Sequence, residues 1–188
     1  MEDSKLSENE ILINSNCNPT DSLLLWTNKS QITWDYFKGK PDTIKFKGFG
    51  AVTWTWITYE DYTVHNDSIT MNLLSYLVIN HSWVRIKTDD LLTHEQTHFN
   101  ITEVFTRKIR KELSQYQYVS VQNFLDYYAF VSNKSHAEKD ELNNLYDKET
   151  NHGTIIEVQQ KWDKKIDEML EELEDYSNPR VVVRKKDR

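Results

Sequence analysis

The string His94-Glu95-Gln96-Thr97-His98 constrains this chain more than any other feature. Two histidines four positions apart sit one turn apart on the same face of an α-helix, so both rings can reach one ion, and a carboxylate lies between them. H-E-x-x-H on a helix is the smallest blueprint of a hydrolytic zinc site, with His94 and His98 as ligands of Zn²⁺ and Glu95 as general base toward a metal-activated water. With six histidines in 188 residues, chance would produce the motif about 0.015 times. Coincidence is therefore a poor explanation.

The flanks predict the helix itself. Thr88-Asp89-Asp90 offers an N-cap and an acidic first turn, and the helix formers Lys108, Arg110, Lys111 and Glu112 follow, so the helix should run from about Asp89 to Leu113. Leu91, His94, His98, Ile101 and Phe105 share one stripe of it, which sets two imidazoles into an apolar seam facing the core. Either ring alone could be a core histidine bonded to backbone. The pair with Glu95 between them favours a metal site.

Upstream, Leu23 to Trp26, Ile32 to Trp34 and Ala51 to Tyr59 are rich in β-branched and aromatic residues, and Asn66-Asp67 separates two further strand-like runs as a hairpin turn. Downstream, helices are predicted near Val121 to Phe130, from the capping pattern Ser135-x-x-Glu138, and from Thr154-x-x-Glu157 to Asn178-Pro179. Strands first and helices afterwards predict an α+β domain, with an N-terminal antiparallel sheet, the motif helix and C-terminal helices. The expected division is an arm over 1–21, a domain over 22–179 and a solvated basic tail over 180–188.

A net charge of −7 argues against a general binder of nucleic acid or anionic lipid. Cys17 is the single cysteine, so no internal disulfide can form. No apolar run approaches the roughly 18 residues of a membrane span. No signal peptide is visible ahead of Cys17, so a cytoplasmic setting stays open unless a leader has been removed.

A hydrolytic zinc site needs a third protein ligand. Glu103 lies nine residues beyond His94 and points to the opposite side of the helix. His152, before Gly153 in a flexible turn, is the expected third ligand. Glu149 and Asp147 compete for that place, and Asp147 could instead orient a ligand. Tyr146 or His136 could donate to an oxyanion.

Several segments together resemble a bacterial family of unknown function described as predicted secreted zinc-dependent proteases. They are Ile32-Thr33-Trp34-Asp35-Tyr36-Phe37-Lys38-Gly39-Lys40-Pro41, Ser82-Trp83-Val84, Leu91 to Ile101 with its H-E-Q-x-H-F string, and Tyr146-Asp147-Lys148-Glu149-Thr150-Asn151-His152-Gly153 leading to Trp162. Asn100 stands where the family pattern often has Asp. The resemblance implies a zincin-like fold, one zinc ion and an exported setting. The expected activity is zinc-dependent hydrolysis of peptide bonds in a peptide or protein substrate. Two rivals are a zinc-stabilised module without turnover and a zinc hydrolase of non-protein amides or esters.

Overall fold

The computed structural model describes residues 22–28, 31–42 and 44–187. The expected arm over 1–21 and Cys17 lie outside them. Within them the protein is α+β.

Three strands form the first half of the main sheet: β1 (Leu23–Leu25), β3 (Thr55–Val64) and β4 (Ser68–Val78). β3 and β4 make the expected hairpin, closed by a bond from His65 N–H to the Ser68 carbonyl at 2.7 Å. β4 is the organising strand, because β3 pairs along one edge while β1 takes the C-terminal part of the other. Its residues are accordingly buried without interruption from Leu73 to Val78, where a strand covered on both faces has no solvent side to keep polar. A separate two-stranded pair, β2 (Ala51–Val52) with β5 (Trp83–Val84), branches off beside it. The single strand expected over Ala51–Tyr59 is thus split at Thr53-Trp54. Ile32–Trp34 is not a strand. Trp34–Tyr36 forms a 3-10 turn, and the Ile32 N–H goes to Gln96 Oε1 at 2.8 Å instead of a ladder.

The motif helix α1 (Asp89–Gln115) begins where expected, with the Thr88 side chain accepting from Leu91 N–H. It packs against the sheet and against both other long helices. Phe99, Ile101, Val104, Phe105, Ile109 and Leu113 are all essentially buried, and so are Glu103, Arg107 and Arg110. These three charges are tolerated because they satisfy one another: Glu103 accepts from Arg107 at 3.2 Å and from Arg110 at 2.8 Å, with Ser75 as a third donor. Glu103 therefore serves the core on the far side of α1.

β6 (Gln117–Tyr118) leads to α2 (Val121–Thr150), capped by Ser120, and α3 (Ile156–Glu172) follows after a tight turn. The break expected at Ser135-x-x-Glu138 is absent: Ser135 is buried inside a continuous 30-residue helix, so packing overrides the local capping signal. The expected solvated tail over 180–188 is corrected too. Arg180–Lys185 forms β7, inserted between β4 (antiparallel) and β6 (parallel), with Val181 and Val183 buried. Alternation explains it, since Val181 and Val183 face the core while Arg180, Val182 and Arg184 face out. The domain consequently extends past Pro179.

Candidate metal centre

α1 and α2 run antiparallel, His98 meeting Asn143 and His94 meeting Asp147. Residues four apart on each helix thereby face residues four apart on the other. The Nε2 atoms of His94 and His98 each lie 3.0 Å from Asp147 Oδ1 and 3.2 Å from one another. His94 is almost fully buried, and His98 and Asp147 are partly so.

The neighbours decide where the ring protons sit. Gln159 Nε2 donates to Asp163 at 2.6 Å, so its Oε1, 3.0 Å from His94 Nδ1, must accept. Asn143 Nδ2 donates to the Lys139 carbonyl at 3.0 Å, so its Oδ1, 2.7 Å from His98 Nδ1, accepts likewise. Both rings carry their proton on Nδ1 and turn an Nε2 lone pair toward Asp147. Two lone pairs and a carboxylate oxygen thus converge with no donor of their own between them. Such a triangle can hold a metal ion. Tetrahedral coordination at about 2.0–2.1 Å separates ligand atoms by about 3.3–3.4 Å, and the observed 3.0–3.2 Å needs only a few tenths of an ångström of opening.

The same arrangement shapes proton affinity in the metal-free site. Burial disfavours charge on His98, but a proton added at Nε2 is held by a hydrogen bond to Asp147, which outweighs burial and raises the ring above the ordinary histidine value. Burial also pushes Asp147 up, and the two histidines overcome it, holding the carboxyl well below its usual range.

Glu95 is buried beside the triangle, and its Oε2 has no hydrogen-bond partner among the described residues. An orphaned carboxylate oxygen in a cleft wall is costly unless it meets a ligand or water. The cleft, of about 370 Å³, is lined by Glu95, the three converging residues and the extended Gly50–Trp56 segment.

His152, the expected third ligand, lies beside the group rather than in it. Its Nδ1 is 3.7 Å from Asp147 Oδ1, its ring packs on Phe49 with centroids 4.4 Å apart, and about half of its side chain is exposed. The left-handed turn at Asn151, His152 and Gly153 carries the ring to the cleft rim. Glu149 turns away to accept from Trp162 Nε1 at 2.8 Å. Of the three candidates from this segment, Asp147 is the one that meets both histidines. Tyr146 is not placed for an oxyanion: it is fully buried, stacked on His94 with centroids 4.6 Å apart, and hydrogen-bonded to Gln159. His136 does line the cleft. Gln159 and Asn143 were not singled out in the sequence. Asn143 had a usable signal, standing four residues before Asp147 on one helical face, while Gln159 had none.

Asn100 and Gln96 are structural. Asn100 Oδ1 accepts from Trp26 Nε1 and from Gln96 Nε2, both at 3.0 Å, so the motif's central glutamine ties the N-terminal segment to α1.

Comparison with protein-family models, curated proteins and solved structures finds no match to this chain. Among the described residues no helix is long and apolar enough to cross a membrane.

Proposed function

We propose that this protein is a zinc-dependent metallopeptidase of zincin-like fold, with His94, His98 and Asp147 as metal ligands and Glu95 as general base. The observation that carries the reading is the convergence of two Nε2 lone pairs and one carboxylate oxygen beside a buried, unpaired Glu95 oxygen. Zinc bound there would polarise a scissile carbonyl and lower the pKa of a water molecule. Glu95, whose buried Oε2 has no hydrogen-bond partner among the described residues, would accept the proton of the attacking water and return it to the leaving amine. Gln159 and Asn143 hold the two imidazoles in the ligating tautomer.

A peptide is the favoured substrate because the cleft wall is an extended segment, from β2 to the start of β3, whose outer backbone edge is unpaired among the described residues. Gly50 O accepts from Arg85 and Ile86, Trp54 N–H donates to Ser82 Oγ and Trp54 O accepts from Val78, all on the inner side. Strand alternation turns the backbone groups of Ala51 and Thr53 the other way, toward the cleft, where an extended chain can add to them. An exported setting is part of the proposal on the sequence resemblance alone.

The test is metal content and peptide hydrolysis of wild type and Glu95→Gln. The variant should keep stoichiometric zinc and lose at least about 10²-fold in turnover. Equal turnover would overturn the mechanism, and zinc without any Glu95-dependent peptide hydrolysis would point to a binding module instead.

A further inference from the structure

The cleft has two unlike ends, and the extended segment that lines it has a direction. Phe49, just before the Gly50–Trp56 segment, packs against His152 just beyond the C-terminal end of α2, the two rings tilted by 56°. At the other end, Thr55 Oγ1 lies 2.7 Å from Thr102 Oγ1, one turn beyond His98 on α1. The segment therefore runs antiparallel to α2, from the aromatic rim at Phe46 and Phe49 toward the part of α2 that carries His136, Lys139 and Asp140. The metal-ligating triangle sits between.

Lys139 is unusual in this wall. Its side chain is only 13% exposed although it lines a cleft, and its ion-pair partner is Asp140, 3.1 Å away and itself largely in solvent. A lysine is rarely this buried unless its charge is used. The partly buried Thr53 adds a second observation on the opposite wall, since its Oγ1 is enclosed without a hydrogen-bond partner among the described residues.

We propose that Lys139 forms a subsite for an acidic side chain on the N-terminal side of the cleaved bond, in a peptide lying antiparallel to the extended Gly50–Trp56 segment. This rests on the peptidase reading. Antiparallel pairing is the more stable register for an added strand, and a chain antiparallel to Gly50–Trp56 enters at the Lys139 end and leaves past Phe49. Lys139 precedes Asp147 by eight residues, roughly 12 Å along the helix axis. At about 3.3 Å per residue of extended peptide, and with the reach of a lysine side chain, the subsite lies about two to four residues before the cleaved bond. The incoming carboxylate would compete with Asp140 for the ammonium.

The test uses zinc-loaded enzyme and a peptide series in which Glu, Gln or Lys occupies each of the four positions on either side of one cleavable bond. Cleavage is mapped by mass spectrometry, and binding of the same peptides to the Glu95→Gln protein is followed by tryptophan fluorescence. Wild type should favour Glu over Lys by about threefold to tenfold at one or more of the second to fourth positions on the N-terminal side. Lys139→Gln should flatten that ratio, Lys139→Glu should invert it, and Asp140→Asn should increase it. Cleavage without charge preference, or a preference unchanged in Lys139→Glu, overturns the subsite. An acidic preference on the C-terminal side overturns the direction. Failure to cleave any peptide in a Glu95-dependent way overturns the peptidase reading and this inference with it.

Discussion

Gly153 packs its bare Cα against His94: a Cβ built there would lie 2.8 Å from His94 Cβ and 2.9 Å from Cγ. Its φ of 77° is also one that a side chain resists. The α2–α3 turn thus holds the buried His94 ring in place from behind while Gln159 fixes its rotation from the side. Gly153→Ala is expected to cost about 1–3 kcal/mol of stability and to weaken zinc at least about tenfold, because His94 must move. Isothermal calorimetry on the folded variant checks it, and unchanged zinc affinity would show that the turn does not position the ring.

Asp147 and His152 can be separated directly. Asp147→Ala removes the oxygen shared by both histidines and should weaken zinc by more than about 100-fold, beyond the range typical of residues that only orient ligands. His152→Ala should change affinity less than about threefold, since the ring stands off the group against Phe49. The reverse ranking would return the third-ligand role to His152.

The pH dependence should have opposite signs with and without metal. His98 has a raised proton affinity in the folded, metal-free protein, so its contribution to stability is complete below about pH 6.5 and is lost as pH rises through the raised value. Asp147 is depressed, so its contribution holds above the ordinary carboxylate range and is lost only in strong acid. Zinc requires both histidines deprotonated and binds more tightly as pH rises. The difference in Tm between zinc-loaded and chelator-treated protein is expected to widen from about pH 6 to about pH 8. A constant difference across that range would contradict the linkage.

Truncation after Asn178 should prevent folding. β7 carries Val181 and Val183 into the core and joins β4 to β6. Two buried valines alone are worth about 3–6 kcal/mol, against a total of about 5–15 kcal/mol for a domain of ordinary stability. A cooperative melting transition in the truncated protein, seen by circular dichroism, would contradict this.

The contrast between β7 and α1 explains what could be read in advance. α1 announces itself through a local cap, a helical stripe and a motif whose two histidines are joined by a single turn. All of these are set by neighbours four residues away. RVVVR, residues 180–184, holds a run of three β-branched residues, but nothing local says whether a partner edge is available, and its charges suggest solvent. The continuous α2 shows the same limit in reverse, since Ser135 offers a cap that burial against neighbouring elements leaves unused.

The candidate site divides along the same line. The sequence by itself determined the α+β order, the motif helix with its cap, and the His94, Glu95 and His98 arrangement, because one helical turn specifies each of these. Only the tertiary structure brings Asp147, rather than His152 or Glu149, against both histidines. These three lie within six residues of one another, so their order along the chain says little about direction, whereas the antiparallel packing of α2 on α1 aims Asp147 at both histidines, the Trp162 indole draws Glu149 away, and the left-handed turn carries His152 to the rim. That convergence was made by helix packing, which acts between residues about 50 positions apart.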